Sequence, residues 1–281
     1  MHGTLQELLK QAIARLGSTS PTPRLDAEVL LAHALRRDRS HLLAHADEAP
    51  GAQAAQRFET LIAARIQGEP VAYLTSKREF WSLALRVTPA TLIPRPETEL
   101  LVEQALERVP TGAVWPILDL GTGSGAIALA LASELPACKL TATDASVGAL
   151  DIARANAGAL GIKNVEFMTG DWFAPLAGRR YRLIVSNPPY VEAADSHLTE
   201  GDVRFEPRSA LASGADGLTD IRRIIAGAPA HLETGASLLL EHGWRQGEAV
   251  RELLRATGFY NVTTYSDPAG HERVSAGVWV K

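Results

Sequence analysis

Apolar residues recur at helical spacing through the first seventy positions. Thr4 and Glu7 form a T-x-x-E capping box. Leu5, Leu8, Leu9, Ala12, Ile13 and Leu16 then line one stripe of a helix that ends at Gly17 and the Pro21-Thr22-Pro23 run. The same spacing predicts a second helix over 25–36, a short one after Ser40, and a longer one carrying Phe58, Leu61, Ile62 and Ile66 that stops at Gly68 and Pro70. From Phe80 the period becomes two. Trp81, Leu83, Leu85 and Val87 alternate with Ser82, Ala84 and Arg86, which reads as one strand. Pro96 fits the first turn of a helix continuing through Leu106.

Beyond that point strands and helices alternate. Strands are predicted over 117–120, 139–144, 165–168, 183–186 and 237–241, and helices over 126–135, 146–160, 219–232 and 246–257. The rhythm predicts an α/β fold: a doubly wound, mostly parallel sheet with helices on both faces. Segments 259–265 and 274–280 are strands separated by a short loop, so they should close the sheet as an antiparallel hairpin and bring it to seven strands. The predicted organisation is a helical bundle over 1–70 serving substrate recognition, a strand-rich connector or hairpin over 71–95, and an α/β catalytic domain over 96–281.

Composition narrows the class. A chain of 281 residues suits two domains at roughly 150 residues each. Hydrophobic residues at 46% and charged ones at 21% are the balance of a soluble globular protein. Lys+Arg 28 against Asp+Glu 32 leaves a net charge of −4, which gives no reason to expect a broad nucleic-acid-binding face. The single cysteine, Cys138, rules out an internal disulfide or a cysteine-based zinc site and suits a reducing compartment. The longest apolar run, 126–132, falls far short of the ~20 residues that cross a bilayer, and no basic stretch precedes an apolar run at the amino terminus. A cytoplasmic location is expected.

Two segments carry chemistry. Asp119-Leu120-Gly121-Thr122-Gly123-Ser124-Gly125 follows an apolar strand and opens a helix, and its glycines let the chain turn sharply beneath a ligand. Asp144 ends the next strand about twenty residues on, where a carboxylate can accept both hydroxyl protons of a ribose. Together they imply a nucleoside-containing cofactor. With Ala126 the loop also satisfies G-x-G-x-x-G/A, so S-adenosylmethionine, a nicotinamide or flavin dinucleotide, and a purely structural turn all remain open on these residues.

The second is Ser186-Asn187-Pro188-Pro189-Tyr190, directly after the apolar strand residues 183–185. Carboxyl ends of strands border the ligand crevice of a doubly wound sheet, so Asn187 should face the same cleft as Gly121 and Asp144. The two prolines supply carbonyls but no N–H. A planar NH2 group is a poor nucleophile because its lone pair is delocalised. The Asn187 side-chain oxygen and the Pro188 carbonyl could hold its two protons and aim the lone pair at an electrophilic methyl. Tyr190 offers an aromatic face to the planar group. Taken alone, the segment also reads as a rigid loop after a strand.

The glycine loop, Asp144 and Asn187-Pro188-Pro189-Tyr190 resemble those of class I S-adenosylmethionine-dependent N-methyltransferases. The stretches 92–99, 170–173 and 205–211 are similar more specifically to the peptide-chain release factor glutamine methyltransferase family, known as PrmC or HemK. The resemblance extends over nearly the whole chain, the helical domain included. It implies methylation of the side-chain amide N5 of the glutamine in the Gly-Gly-Gln loop of class-one release factors, in support of translation termination. Its implied cofactor is S-adenosylmethionine and its partner a release factor, with no membrane, no metal and no direct nucleic-acid partner, the chain acting as a monomer. It further implies that Gly121, Thr122, Gly123, Ser124 and Gly125 line the methionine portion of the cofactor, that Asp144 holds its ribose, and that Trp172 lies near its adenine. Asn187 would bind the target amide beside the cofactor, with Pro188, Pro189 and Tyr190 completing the catalytic pocket. Ser76 and Ser213 stand where the family commonly has glycine, which puts the geometry of those two loops in question.

Other candidates weigh less. Without the resemblance Trp172 reads as a core tryptophan. His41 and His45 have i, i+4 spacing but no evident third ligand, so no metal site is expected. His242, at a strand end, reads as a local hydrogen-bonding residue. The long polar stretch 192–216 reads as a clamp on the protein substrate with Arg204 and Arg208 as contacts, or else as solvated charge. Rival functions are a glutamine methyltransferase acting on a ribosomal protein, an adenine-N6 DNA methyltransferase, whose target must be flipped from its stack, and a non-catalytic cofactor-binding protein.

Overall fold

The computed structural model describes residues 3–280 and divides the chain into two compact units. The helical unit runs to Lys77 and takes in a returning segment, Thr199–Phe205. Its helices are α1 (Leu5–Leu16), α2 (Pro23–Leu35), α3 (Arg39–Ala44), α4 (Ala52–Ile66) and α5 (Val71–Thr75). The capping box of α1 is complete: Glu7 Oε2 accepts from Thr4 N at 3.0 Å and Thr4 Oγ1 from Glu7 N at 3.3 Å. Leu5, Leu8, Leu16, Leu30, Phe58 and Ile62 meet in one core. Arg65 is also buried: its Nε donates to Asp26 Oδ2 and its Nη1 to Asp202 Oδ1, both at 2.7 Å. Asp202 arrives from the returning segment.

The helical unit reaches past the boundary expected at 70. The connector predicted to be strand-rich from 71 begins instead with α5, which Pro70 opens and Ser76 closes. Ser76 takes a left-handed conformation, φ 55°, that glycine adopts freely and serine at a cost of about 1 kcal/mol. This is how the chain accommodates the departure at that position.

Next comes a hairpin, β1 (Lys77–Phe80) and β2 (Leu83–Arg86), within the stretch read as a connector or hairpin; the alternation from Phe80, taken by itself, runs through its turn as if it were one strand. Trp81 and Ser82 form the tight turn with φ of 52° and 57°. Such a turn ordinarily needs Asn-Gly or a similar pair. Here side chains distant in sequence supply the hold, because Trp81 donates its backbone N–H to Glu99 Oε1 and its indole N–H to Glu134 Oε1, each at 2.8 Å.

Seven further strands, β3 (Pro116–Leu120), β4 (Lys139–Asp144), β5 (Val165–Thr169), β6 (Tyr181–Ser186), β7 (Leu232–Glu241), β8 (Tyr260–Ser266) and β9 (Glu272–Val278), form one sheet in the order β5-β4-β3-β6-β7-β9-β8. The first five are parallel, and β9 runs antiparallel to both β7 and β8. Helices α6 (Glu99–Leu106), α7 (Ala126–Glu134), α8 (Val147–Leu160), α9 (Thr219–Gly227) and α10 (Gly247–Thr257) cover it. Two separate apolar clusters result, one containing Ile117, Leu183 and Leu239 and the other Leu118, Ile184 and Leu238. Burial on both faces explains why these strands read as continuous apolar runs. The helix expected to 232 stops at Gly227, before Pro229, and β7 therefore begins five positions earlier than the apolar run suggested. Among the described residues no helix is long and apolar enough to cross a membrane.

Candidate active site

Sheet order reverses at β3, which has β4 on one side and β6 on the other, and a ligand crevice is expected outside such a switch point. The loops leaving these strands border a cavity of about 360 Å³. Gly121 and Gly123 line it from the loop after β3, Asp144 from the end of β4, Trp172 from the loop after β5, and Asn187 and Pro189 from the loop after β6. Residues that the sequence singled out from four separate segments thus meet in one place.

Backbone hydrogen bonds shape the glycine loop. Gly121 N and Thr122 N both donate to Thr143 O at 2.9 Å, which hangs the loop on β4. Gly123 N donates to Asp144 Oδ2 and Ser146 N to Asp144 Oδ1, each at 2.8 Å. Asp144 is thereby fixed by both oxygens while each keeps a lone pair for a ligand hydroxyl. Burial pushes its carboxyl above the usual range, and the two N–H groups pull it part of the way back. Asn156 of α8 braces the loop from behind, donating to Ser124 O at 2.8 Å and exchanging bonds with the backbone of Arg86.

Gly121 has φ +73°, and a Cβ there would lie 3.2 Å from the Trp172 ring. Its missing side chain lets the indole rest against the loop. The Trp172 indole N–H donates to Asp220 Oδ1 at 3.2 Å. One face packs on the core and the residue also borders the cavity, so the structural and the functional readings of this tryptophan each describe part of it. Asp144, Asp171 and Asp220 stand around the cavity against one cation, Arg223, which pairs with Asp171. Such a wall favours a positively charged ligand.

Asn187 donates its Nδ2–H to Thr98 Oγ1 at 3.2 Å, and its Oδ1 has no hydrogen-bond partner among the described residues. Ser186 Oγ donates to Leu120 O at 2.7 Å, pinning the ends of β6 and β3 together beneath it. Tyr190 turns its hydroxyl inward to donate to Glu241 Oε1 at 3.3 Å. Burial, reinforced by the nearby Glu241 carboxylate, holds the phenol protonated well above its ordinary range.

Not every expected residue lines the cavity. Thr122, Ser124, Gly125, Pro188 and Tyr190 lie outside its lining. Thr122 and Ser124 are buried, and Thr122 Oγ1 donates to Asp119 Oδ2 at 2.6 Å. Asp119 is fully buried, and desolvation pushes its carboxyl up to about 7. These residues hold the loop's shape from within. Ser213 is buried too, donating to Asp220 Oδ2 at 2.7 Å and accepting from Asp220 N at 2.8 Å, so it caps the start of α9 and orients the carboxylate that holds Trp172.

The clamp expected over 192–216 has a different character. Arg208 donates to Ala193 O at 2.8 Å, and Arg204, in the returning segment, donates to Gln67 O and lies over the Phe205 ring. Each guanidinium thus makes one bond to the chain's own backbone. His242 is buried, with Nε2 2.8 Å from Ser275 Oγ and Nδ1 3.0 Å from Gly243 O. The His41 and His45 rings stack on one another at 3.9 Å.

Three residues of this site were not singled out individually by the sequence reading, although two of them lie in the stretches 92–99 and 205–211. Thr98 accepts from Asn187, and Glu241 from Tyr190, through tertiary contact alone. Glu206 is buried, accepts from Ile93 N at 3.0 Å and pairs with Arg95, which joins stretch 92–99 to stretch 205–211. Leu92, Pro207 and Ser209 from those stretches also line the cavity.

A family model described as the PrmC N-terminal domain matches residues 7–75, and one described as the methyltransferase small domain matches residues 96–204. The release factor glutamine methyltransferase of Pseudomonas aeruginosa is 54% identical over 92% of this chain and 94% of its own length. That of Escherichia coli K12 is 50% identical over 97% and 98%. Among solved structures, the 16S rRNA N2 G1207 methyltransferase of Thermus thermophilus, in complex with AdoMet and guanosine, aligns at TM-score 0.54 and 20% identity, covering 72% of this chain and 49% of that one. At that identity the likeness concerns the fold.

Proposed function

The chain belongs to the release factor glutamine methyltransferase family, and from that premise we propose that it transfers a methyl group from S-adenosylmethionine to N5 of the glutamine in the Gly-Gly-Gln loop of class-one release factors, in the cytoplasm. One observation carries this reading. Asn187, with an unengaged side-chain oxygen, shares a single cavity with the Gly121–Gly123 backbone and Asp144.

The cavity fits the cofactor on chemical grounds. The Asp144 carboxylate suits ribose hydroxyls, the Trp172 indole offers a face to the adenine, and the acidic wall suits a ligand bearing ammonium and sulfonium charges. When bound, S-adenosylmethionine supplies an electrophilic methyl group. Asn187 Oδ1 accepts one N–H of the target amide, and the carbonyl of Pro188, which lies between the lining residues Asn187 and Pro189, is the acceptor assigned to the other, which favours a tetrahedral nitrogen and orients its lone pair. No strong base is needed before attack, because the nitrogen becomes acidic as the N–C bond forms and the C–S bond breaks. Tyr190 contributes from behind, with its buried hydroxyl anchoring the loop that carries both acceptors.

Incubation with labelled S-adenosylmethionine and, separately, a release factor, ribosomal proteins and duplex DNA tests the proposal. Mass spectrometry should place the label on the Gly-Gly-Gln glutamine, and label on DNA or a ribosomal protein instead would refute it. Asp144→Ala is expected to weaken cofactor binding by about 1.5–3 kcal/mol through loss of charge-assisted hydrogen bonds. Calorimetry that finds unchanged affinity would remove the ribose assignment.

A further inference from the structure

We propose that Trp244 and Arg245, at the tip of the turn after β7, receive the Gly-Gly backbone that precedes the target glutamine. The inference rests on the reading of Asn187 as the acceptor for that glutamine's side-chain amide, and it adds a seat for the polypeptide that carries it. Of the five tryptophans, all among the described residues, Trp244 alone is exposed, at 48%. A single exposed aromatic ring is ordinary on a protein surface, so exposure by itself decides nothing. The mounting and the position of this one set it apart.

Residues 243–246 make a turn that is closed in both directions. Gln246 N donates to Gly243 O at 2.8 Å, and Gly243 N donates to Gln246 Oε1 at 2.9 Å. Trp244 and Arg245 are therefore its two central residues, the pair that such a turn displays. The Arg245 guanidinium lies 4.3 Å over the Trp244 ring, and among the described residues it has no hydrogen-bond or ion-pair partner. The His271 ring flanks the indole at 5.5 Å between centroids. A flat apolar face and a fork of free N–H donors are thus held together in the open. A ring already fixed in place loses little freedom when a partner covers it.

The turn stands beside the segment assigned to the target amide. β6 and β7 are parallel, with Ser186 opposite Leu240, so the chains leaving both strands emerge at the same rim. Two bonds then tie the loop after β7 to the Asn187–Tyr190 segment. Tyr190 Oη donates to Glu241 Oε1 at 3.3 Å, and Gln246 Nε2 donates to Tyr190 O at 3.0 Å. Trp244 and Arg245 lie between those anchors in the chain and outside the cavity lining. A glutamine whose side chain enters the cavity leaves its own backbone outside, on this rim. Two glycines offer bare peptide planes, with no side chain to keep an indole away. The ring can lie flat on that backbone while the guanidinium donates to its carbonyl oxygens. Bulky side chains at the same two positions would be held off, so the pair selects the glycines as well as seating them.

Steady-state kinetics of the full chain on an intact class-one release factor tests this. Trp244→Ala should raise KM for the factor about 30-fold, the scale of a truncated interface tryptophan. At saturating factor kcat should stay within about threefold, because the loss is one of binding. Calorimetric affinity for S-adenosylmethionine should stay within about twofold, with Asp144 and the glycine loop intact. Trp244→Phe keeps an aromatic face and should hold KM to within about fivefold of the parent. Arg245→Ala should raise KM about fivefold, the worth of one hydrogen bond. With p-benzoylphenylalanine at position 244 the chain should photo-crosslink to the factor, and mass spectrometry should map the bond to the Gly-Gly-Gln loop. Three results would overturn the proposal: KM within about twofold of the parent in Trp244→Ala, a loss confined to kcat, or a crosslink to a second copy of this chain or a distant part of the factor. Should Trp244→Ala not fold, Arg245→Ala and the crosslink decide the matter. If the parent methylates no release factor, the underlying reading fails as well; if the parent methylates it and Trp244→Ala is normal, this proposal fails alone.

Discussion

Asn187→Ala is expected to lower turnover by about 10²–10³, the effect of removing one preorganised polar group from a reacting centre. Cofactor affinity should remain nearly normal, because Asp144, the glycine-loop backbone and Trp172 are all in place without it. The split between the two measurements is what matters. The side chain reaches the cavity from the β6 side, its Nδ2 end is already committed to Thr98, and only the oxygen is available to substrate. Removing it leaves the target amide planar and free to rotate, so the loss should appear in kcat and scarcely in cofactor binding. Single-turnover kinetics with intact release factor, paired with calorimetry on the same preparation, checks both halves. A variant that turns over at near the parent rate would dispose of the mechanism.

Gly217→Ala should be almost as damaging, although residue 217 lies outside the cavity lining. Gly217 has φ +71°, and a Cβ there would stand 2.2 Å from Tyr190 O and 3.0 Å from Tyr190 C. The obstacle is backbone, which cannot swing aside as a side-chain tip can. The same Cβ would stand 2.7 Å from Gln246 Nε2, which donates to that carbonyl at 3.0 Å, so the substitution would also disturb the bond that holds it. Left-handed strain plus overpacking should cost ~2–4 kcal/mol of stability. Any relief has to come from moving Tyr190, and a 1 Å displacement of the preceding acceptors can cost about 10² in rate. Denaturant unfolding and kcat on the one variant test this; unchanged stability together with kcat within twofold of the parent would contradict it.

The sheet and the chemistry of the cleft were readable because they depend on short-range pattern. Apolar runs at 117–120 and 183–186 announce buried parallel strands whatever surrounds them, and the glycine loop, Asp144 and Asn187 each sit at a strand end that topology brings to one rim. What escaped depends on partners far away in the chain. The alternation over 80–87 does not locate the turn of the connector hairpin, which bonds to Glu99 and Glu134 hold at Trp81-Ser82. Thr98 and Glu241 are ordinary residues until the fold sets them behind Asn187 and Tyr190, 89 and 51 positions away respectively. The backbone bonds that Arg204 and Arg208 each make to a carbonyl were likewise not legible in the sequence.

Asp202 completes the buried ion-pair group of Arg65 from a heptapeptide that leaves the α/β unit and comes back to it. The two halves are therefore stitched rather than strung, with three crossings of the polypeptide between them instead of one. A fragment cut at Lys77 would lack a piece of itself, and a protease nick near residue 200 would harm the half that ended 120 positions earlier. Recombining the amino-terminal half with a foreign catalytic partner would succeed only if Thr199–Phe205 travelled with it, so inheritance of the two halves is coupled by seven residues that belong to one and are encoded within the other.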